Sequence, residues 1–238
     1  MKWFLIILNT ICLATLIVLT AVELPVFYRP LYKFEYDKYN IPVQLNMTSD
    51  DLAKVTDHML DYMSGKVPDL SIITVVDGQT RDFFDAREKE HMADVRRLFL
   101  DGFMIRNIAA GGFVVTLILL FALRYRPMRS LTLVYQIFLG SMLVILALAA
   151  YLISRNFDAA WTIFHHIFFR NNLWLLDPSV DLLVDIVPDV FFEDLAMIIG
   201  ILYASLSLLV MIASAIIHMI LGARVPPRRR PVPANWEE

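Results

Sequence analysis

Histidine is the side chain whose ordinary pKa best suits it to move a proton near neutral pH, and three of the five histidines in this chain fall in two unusual stretches. The first is Glu88-x-x-His91, a carboxylate and an imidazole spaced to share one face of a helix. Such a pair could orient the imidazole and raise its basicity for acid/base work. It could equally be a glutamate paired with an arginine beside a packed histidine. The second stretch runs Trp161-Thr-Ile-Phe164-His165-His166-Ile-Phe168-Phe169-Arg-Asn171-Asn172-Leu-Trp174-Leu-Leu-Asp177-Pro178. Ionisable groups at membrane depth are costly and tend to line an aqueous or substrate cavity, whereas aromatics at this density also mark an interfacial anchor or a re-entrant piece. Asp177-Pro178 reads as an N-cap and first helical position, starting a short helix through Leu182, Leu183 and Ile186.

Other chemistries lack their residues. His-Glu-x-x-His, a Gly-x-Ser-x-Gly elbow and a phosphate-binding glycine loop are all absent, so zinc proteolysis, the usual serine hydrolases and nucleotide binding have no support. A metal on His91, His165, His166 and a carboxylate is conceivable, but Glu88-x-x-His91 has no second copy, and no metal or other cofactor is expected. Cys12 is the only cysteine, which excludes a disulfide within the chain and a cysteine-based cluster. Ile11 stands before it where a lipobox needs a small residue, so the chain is not itself a lipoprotein. A net charge of −3 gives no field to attract nucleic acid.

The histidines must be positioned by membrane helices. Over 238 residues the chain is 58% hydrophobic and 19% charged, too apolar for a single soluble domain. Four runs, 3–22, 103–123, 131–153 and 195–221, are long enough to cross about 30 Å of hydrocarbon. The first exceeds the usual apolar core of a signal peptide and is expected to be a retained anchor. Lys2, Arg124, Arg126, Arg129 and the arginines from Arg224 lie in the short connections and ends, whereas 23–102 and 154–194 each carry five more acidic than basic residues. Basic residues stay on the cytoplasmic side. The expectation is therefore an all-α membrane protein with both termini and the basic loop 124–130 in the cytoplasm, a disordered basic tail at 222–238, and two outward-facing segments forming a lid over the bundle.

The outer segment 23–102 is expected to be a small α+β module. Thr48 or Ser49 can cap an amphipathic helix ended by Gly65, and Leu70 to Val76 followed by Asp77-Gly78 and Thr80 to Phe84 reads as a hairpin. From Asp85 a helical pattern continues into the second span as a stalk. On it Glu90, Asp94, Arg97 and Asp101 form a charged outer stripe, and Phe84, Met92, Val95, Phe99 and Phe103 an apolar inner one. His218 and Arg106, near span ends, can snorkel and carry no strong functional signal.

Together, Glu88-x-x-His91-Met92-x-Asp94-Val95 ahead of the second span, the Phe164-His165-x-Ile-Phe168-Phe169-x-Asn171-x-x-Trp174-x-x-Asp177-Pro178 stretch and Pro188-x-x-Phe191-Phe192 ahead of the fourth resemble the bacterial lipoprotein intramolecular transacylase family. The four-span layout agrees over the whole chain, with Asn172 a departure from the pattern. The resemblance implies an acyltransferase at the outer face of the bacterial cytoplasmic membrane. Its partners would be diacylglyceryl-modified lipoproteins and membrane lipid, with no nucleic acid and no nucleotide. It would move the sn-2 acyl chain of the lipidated N-terminal cysteine onto that cysteine's own α-amino group, without a metal. His91 and His165 match the family's functional histidines. On this reading His91, supported by Glu88, is the base for the amine and a cationic His165 stabilises the oxyanion or protonates the leaving oxygen; the roles can be exchanged, and a direct transfer or an acyl-histidine route are both open. His166, Asn171 and Asp177 would support them, and Phe164, Phe168, Phe169 and Trp174 would receive acyl chains. The competing class is a four-span sensor or assembly factor whose outer module binds a partner. A hydrolase giving the acyl chain to water would use the same residues.

Overall fold

The computed structural model describes residues 2–122 and 127–223. The expected basic loop lies partly outside these residues, and the basic tail from Arg224 wholly so. In chain order the elements are α1 (Lys2–Val26), α2 (Arg29–Tyr39), α3 (Ile41–Gln44), α4 (Ser49–Met63), the strands β1 (Ile73–Val76) and β2 (Gln79–Asp82), α5 (Ala86–Ala122), α6 (Pro127–Arg155), α7 (Phe157–Phe168), α8 (Leu183–Ile186) and α9 (Asp189–Ala223).

Helices α1, α5, α6 and α9 are each long and apolar enough to cross a membrane. A helix satisfies its own backbone groups, which hydrocarbon cannot do for it. α1 is the most enclosed of the four and packs against the other three. Its Leu5, Ile6, Leu13 and Ile17 form the bundle core with Leu120 of α5, Leu131, Tyr135 and Leu139 of α6 and Tyr203 of α9. A buried polar knot pins three helices at one level: Asn9 donates to Thr116 Oγ1 at 2.8 Å and to the Phe113 carbonyl at 2.9 Å, and Tyr135 donates to Asn9 Oδ1. Glu23 meets Arg106 near the other end of the α1/α5 pair, which fixes the two helices as antiparallel.

α5 runs 37 residues without a break. At 1.5 Å per residue it is about 55 Å long, well beyond about 30 Å of hydrocarbon. Its first half carries Arg87, Glu88, Lys89, Glu90, Asp94, Arg96, Arg97 and Asp101 and stands outside the apolar span, which begins near Phe103.

The remaining elements form a second core against that half of α5. Tyr32 and Tyr36 of α2, Leu52, Val55, Met59 and Leu60 of α4, Phe83, Phe84, Met92, Ile186 and Phe191 are buried together. In α4 the Thr48 side chain accepts from Asp51 N at 3.1 Å. Gly65, at φ +80°, turns the chain out of that helix, and a Cβ there would come within 3.0 Å of Leu100 on α5. The hairpin closes through Asp77 and Gly78, both at positive φ, with Val76 opposite Gln79 and Ile73 opposite Asp82.

Three features differ from the sequence expectation. α2 and α3, separated by Asn40 in the left-handed region, occupy a stretch with no predicted element. The aromatic histidine stretch begins as a 12-residue helix, α7, whose first turn is capped by Asn156 accepting from Ala159 N at 3.0 Å. Asp177 does not cap α8. Its Oδ1 accepts from Ser179 N and Oγ at 2.9 and 2.7 Å, closing a local turn, and α8 begins only at Leu183.

Candidate active site

The start of α5 sets the site. Asp85 Oδ1 accepts from Glu88 N at 2.8 Å and Glu88 Oε2 accepts from Asp85 N at 2.6 Å, a reciprocal capping box. Glu88 Oε1 accepts from Leu183 N at 2.5 Å, so one buried carboxylate, 1% exposed, fastens the first residue of α8 to the head of α5. Burial pushes its pKa up, and the two backbone N–H groups oppose that shift. Both oxygens are therefore engaged away from His91, and the expected Glu88–His91 support is not what this carboxylate does.

His91 follows on the same face, 8% exposed, and its buried Nδ1 has no hydrogen-bond partner. α7 brings His165 opposite it, 4% exposed, with the two ring centroids 6.2 Å apart. Phe169 wedges against both rings, at 5.4 Å from His91 and 5.6 Å from His165. Trp174 stacks on His165 at 4.5 Å and 20°, while Trp161 meets it edge-on at 4.3 Å. Trp161 also packs at 4.3 Å on Phe192, which ties α7 to the start of α9.

The His165 tautomer follows from its partner. Nδ1 lies 2.9 Å from the Trp161 carbonyl oxygen, which can only accept, so Nδ1 carries the proton and Nε2 keeps a lone pair. Burial pushes the His165 pKa below the ordinary histidine range; the Trp161 hydrogen bond opposes the shift and His166 adds to it. Burial pushes His91 further, down to about 4, with a contribution from His165 and opposition from the Asp94 carboxylate. Both imidazoles are thus held neutral at pH 7, against the expected cationic His165. Of the two, His165 has the fixed tautomer and the hydrogen bond that favours protonation.

The strand of chain after α7 is strapped to α5. Arg87 Nη2 donates to the carbonyls of Asn172 and Leu175 at 2.9 Å each, and Asn171 Nδ2 donates to Asp94 Oδ2 at 2.8 Å. These bonds hold the loop that carries Trp174, whose indole Nε1 is buried with no partner. The site therefore presents a lone pair of fixed position, on His165 Nε2, and two unpaired ring nitrogens, His91 Nδ1 and Trp174 Nε1.

His91, His165, Phe164, Phe169 and Trp174 come together as one cluster, with Phe164 5.3 Å from His165. Phe168 lies behind Phe164 at 4.9 Å and is exposed. His166 is exposed and meets the edge of Trp174, at 5.5 Å. Asn171 acts through Asp94, and Asp177 is engaged with Ser179. Among the described residues no three His, Cys, Asp or Glu side chains converge as a metal's ligands would. Residues that sequence reasoning missed are Arg87, Asp94 and Trp161. The i, i+4 relation of Trp161 to His165 was a usable signal, whereas Arg87 reaches carbonyls about as far away in sequence as the chain's second outer segment, which no local pattern reveals.

A family profile described as lipoprotein intramolecular transacylase Lit matches residues 7–192. No curated protein matches the chain. Among solved structures, the membrane integral lipoprotein intramolecular transacylase Lit from Bacillus cereus superposes with a TM-score of 0.71 at 20% identity, covering 94% of this chain and 96% of that one. Two structures of the same Bacillus cereus protein with single histidine substitutions give TM-scores of 0.68 and 0.69 at 20% and 19% identity, each covering 94% of this chain and 92% and 94% of theirs.

Proposed function

The chain belongs to the lipoprotein intramolecular transacylase family, and from that membership we propose that it moves the sn-2 acyl chain of a diacylglyceryl-cysteine lipoprotein onto the α-amino group of the same cysteine. The reading carries one observation above all: two buried neutral histidines face each other, one with its tautomer fixed so that Nε2 is a base.

In this mechanism His165 Nε2 takes a proton from the α-amine as its nitrogen attacks the ester carbonyl carbon. The negative charge that develops on the carbonyl oxygen is met by N–H donors from His91 and Trp174, the two unpaired ring nitrogens beside the base. Collapse breaks the bond to the glycerol oxygen, which receives the proton from His165 Nε2. The products are an N-acyl amide and a lyso-glyceryl thioether, and the imidazole returns to its starting state. The histidine roles are the exchange of the sequence-based assignment, because His91 is held down to about 4 and makes a poor base but an adequate neutral donor. Donor and acceptor belong to one substrate, so orientation supplies much of the rate.

The charge asymmetry supports a topology with both termini in the cytoplasm, and family membership supports the reading that the histidines work at the outer face of the bacterial cytoplasmic membrane. The exposed rings of Phe164 and Phe168 beside the pair suit passage of an acyl chain from the bilayer. The test is mass spectrometry of a lipoprotein N-terminal peptide from a host that leaves it diacylated. The intact chain should give N-acyl, mono-acylglyceryl cysteine of unchanged total mass, and His165→Asn and His91→Asn should leave the diacylglyceryl form. Unchanged lipopeptide with membrane-inserted protein would sink the proposal and favour a sensor or assembly role; released fatty acid would mark a hydrolase.

A further inference from the structure

A second site lies well away from the histidines. Arg106 is fifteen residues beyond His91 on the unbroken α5, about 22 Å along its axis. There a cavity of about 430 Å³ opens where the end of α1, the turn after α4 and α5 meet. Small-molecule sites span roughly 300–1,000 Å³.

Its lining includes the polar Glu23, Arg106, Ser64 and Lys66 and the apolar Leu24 and Phe103. Glu23 is the unusual member. Its side chain is only 7% exposed and Oε2 is bonded to Arg106, yet Oε1 is buried without any partner. A buried carboxylate oxygen left bare is costly, and Arg106 spends its Nε and Nη2 on Asn107 Oδ1 rather than on it. The missing group is a hydrogen-bond donor. Beside it, Lys66 is paired on one side with Asp61 at 3.1 Å but remains 66% exposed, so its ammonium can take another oxygen. Exposed Leu24 flanks the opening on the apolar α1 side.

A ligand that fits must carry an N–H donor, an anionic oxygen a few atoms away, and hydrocarbon. We propose that this cavity binds the head group of an aminophospholipid, with its primary ammonium at the Glu23 carboxylate, its phosphate toward Lys66, and its chains along α1 and α5. A phosphatidylethanolamine meets all three requirements. Phosphatidylcholine shares the phosphate and the chains, but its quaternary nitrogen has no proton to give. A lipid held here would bridge the outer module to the bundle at the Glu23–Arg106 pair. The inference rests on the membrane-integral fold and is independent of the histidine chemistry.

The full-length protein in detergent, incubated with equimolar dioleoyl phosphatidylethanolamine and phosphatidylcholine, tests it by native mass spectrometry. The ethanolamine lipid should be bound about tenfold over the choline lipid, the size expected of one charge-assisted hydrogen bond made or missing. In Glu23→Gln the amide oxygen stays on Arg106 and the amide N–H group faces the ammonium, so the preference should fall to parity. Lys66→Met should weaken both lipids and keep their ratio. Parity in the intact protein overturns the site even if Glu23→Gln fails to fold, and so does an ethanolamine preference that Glu23→Gln retains. Both histidines remain in these variants, so the lipopeptide assay reports on acyl transfer separately.

Discussion

Replacing Glu88 by Gln separates a carboxylate that orients His91 from one that fastens two segments of backbone. Glu88 accepts from Asp85 N at 2.6 Å and from Leu183 N at 2.5 Å while 1% exposed. Hydrogen bonds to a charged acceptor contribute about 1.5–3 kcal/mol each, and a buried donor left bare costs about 1–3 kcal/mol. Glutamine keeps one oxygen and turns an N–H group toward the other backbone N–H, so one bond is lost and two donors oppose each other. The sum is roughly 3 kcal/mol, with the capping box impaired as well. For a chain of this size that lowers the unfolding midpoint by roughly 10 °C. The assay is thermal unfolding of the full-length protein in detergent, followed by the pH dependence of acyl transfer. The rate should fall as His91 loses its platform, but the pH profile should keep its midpoint, because Glu88 is not the partner of His91. An unmoved unfolding midpoint together with a profile shifted to lower pH would refute this reasoning and restore a direct Glu88–His91 interaction.

Three further perturbations follow from the same geometry. His91 titrates near 6.5 when unfolded and is pushed down to about 4 when folded. The unfolded chain therefore takes up the proton first: stability is full above about 6.5 and falls as pH drops toward 4, by up to about 3 kcal/mol. His91→Gln should lose less stability over that window in urea or thermal unfolding; an equal loss would remove His91 as its source. Trp174→Phe keeps a ring on His165 and deletes the indole N–H, so acyl transfer should slow by about tenfold to a hundredfold with little change in unfolding midpoint. Equal rates would take Trp174 out of oxyanion stabilisation. Within the bundle, Asn9→Ala abolishes the bonds to Thr116, the Phe113 carbonyl and Tyr135 and should cost about 1–2 kcal/mol. A wild-type unfolding midpoint would show that the knot contributes nothing.

What was legible in the sequence was whatever is local. Long apolar runs must become helices in hydrocarbon, and Asp77-Gly78 can supply two successive positive φ values, so the four long helices and the hairpin announce themselves. α2 did not: Tyr32, Tyr36 and Tyr39 sit among Lys and Asp, and their burial depends on α4, α5 and α9, which come later in the chain. α7 was hidden although Phe157, Trp161, Phe164 and Phe168 recur at i, i+4, i+7 and i+11 on one face, because aromatics at this density also mark an interfacial anchor or a re-entrant piece. The site shows the same division. His91 and His165 were found through spacing and resemblance, but the acceptor role of Glu88 depends on Leu183, 95 residues away. Asp94 was assigned to an outer stripe facing water, as helical period alone requires. The loop after α7 folds over that stripe and turns Asp94 into the anchor for Asn171.

The unbroken α5 behaves as a stiff shaft. His91 lies near one end of it and Thr116, locked to Asn9 in the bundle, near the other. A loop between them would absorb small changes in length, but a helix converts each into rotation, about 100° per residue. One residue inserted between Gly102 and Arg106 would therefore swing the whole charged half of α5, carrying the imidazole away from His165 without touching either ring. Seven residues would bring the face nearly back into phase yet lift it about 10 Å. Length along this segment is thus constrained as an angle, and the chemistry is set by a phase relation between the bundle and the module it carries.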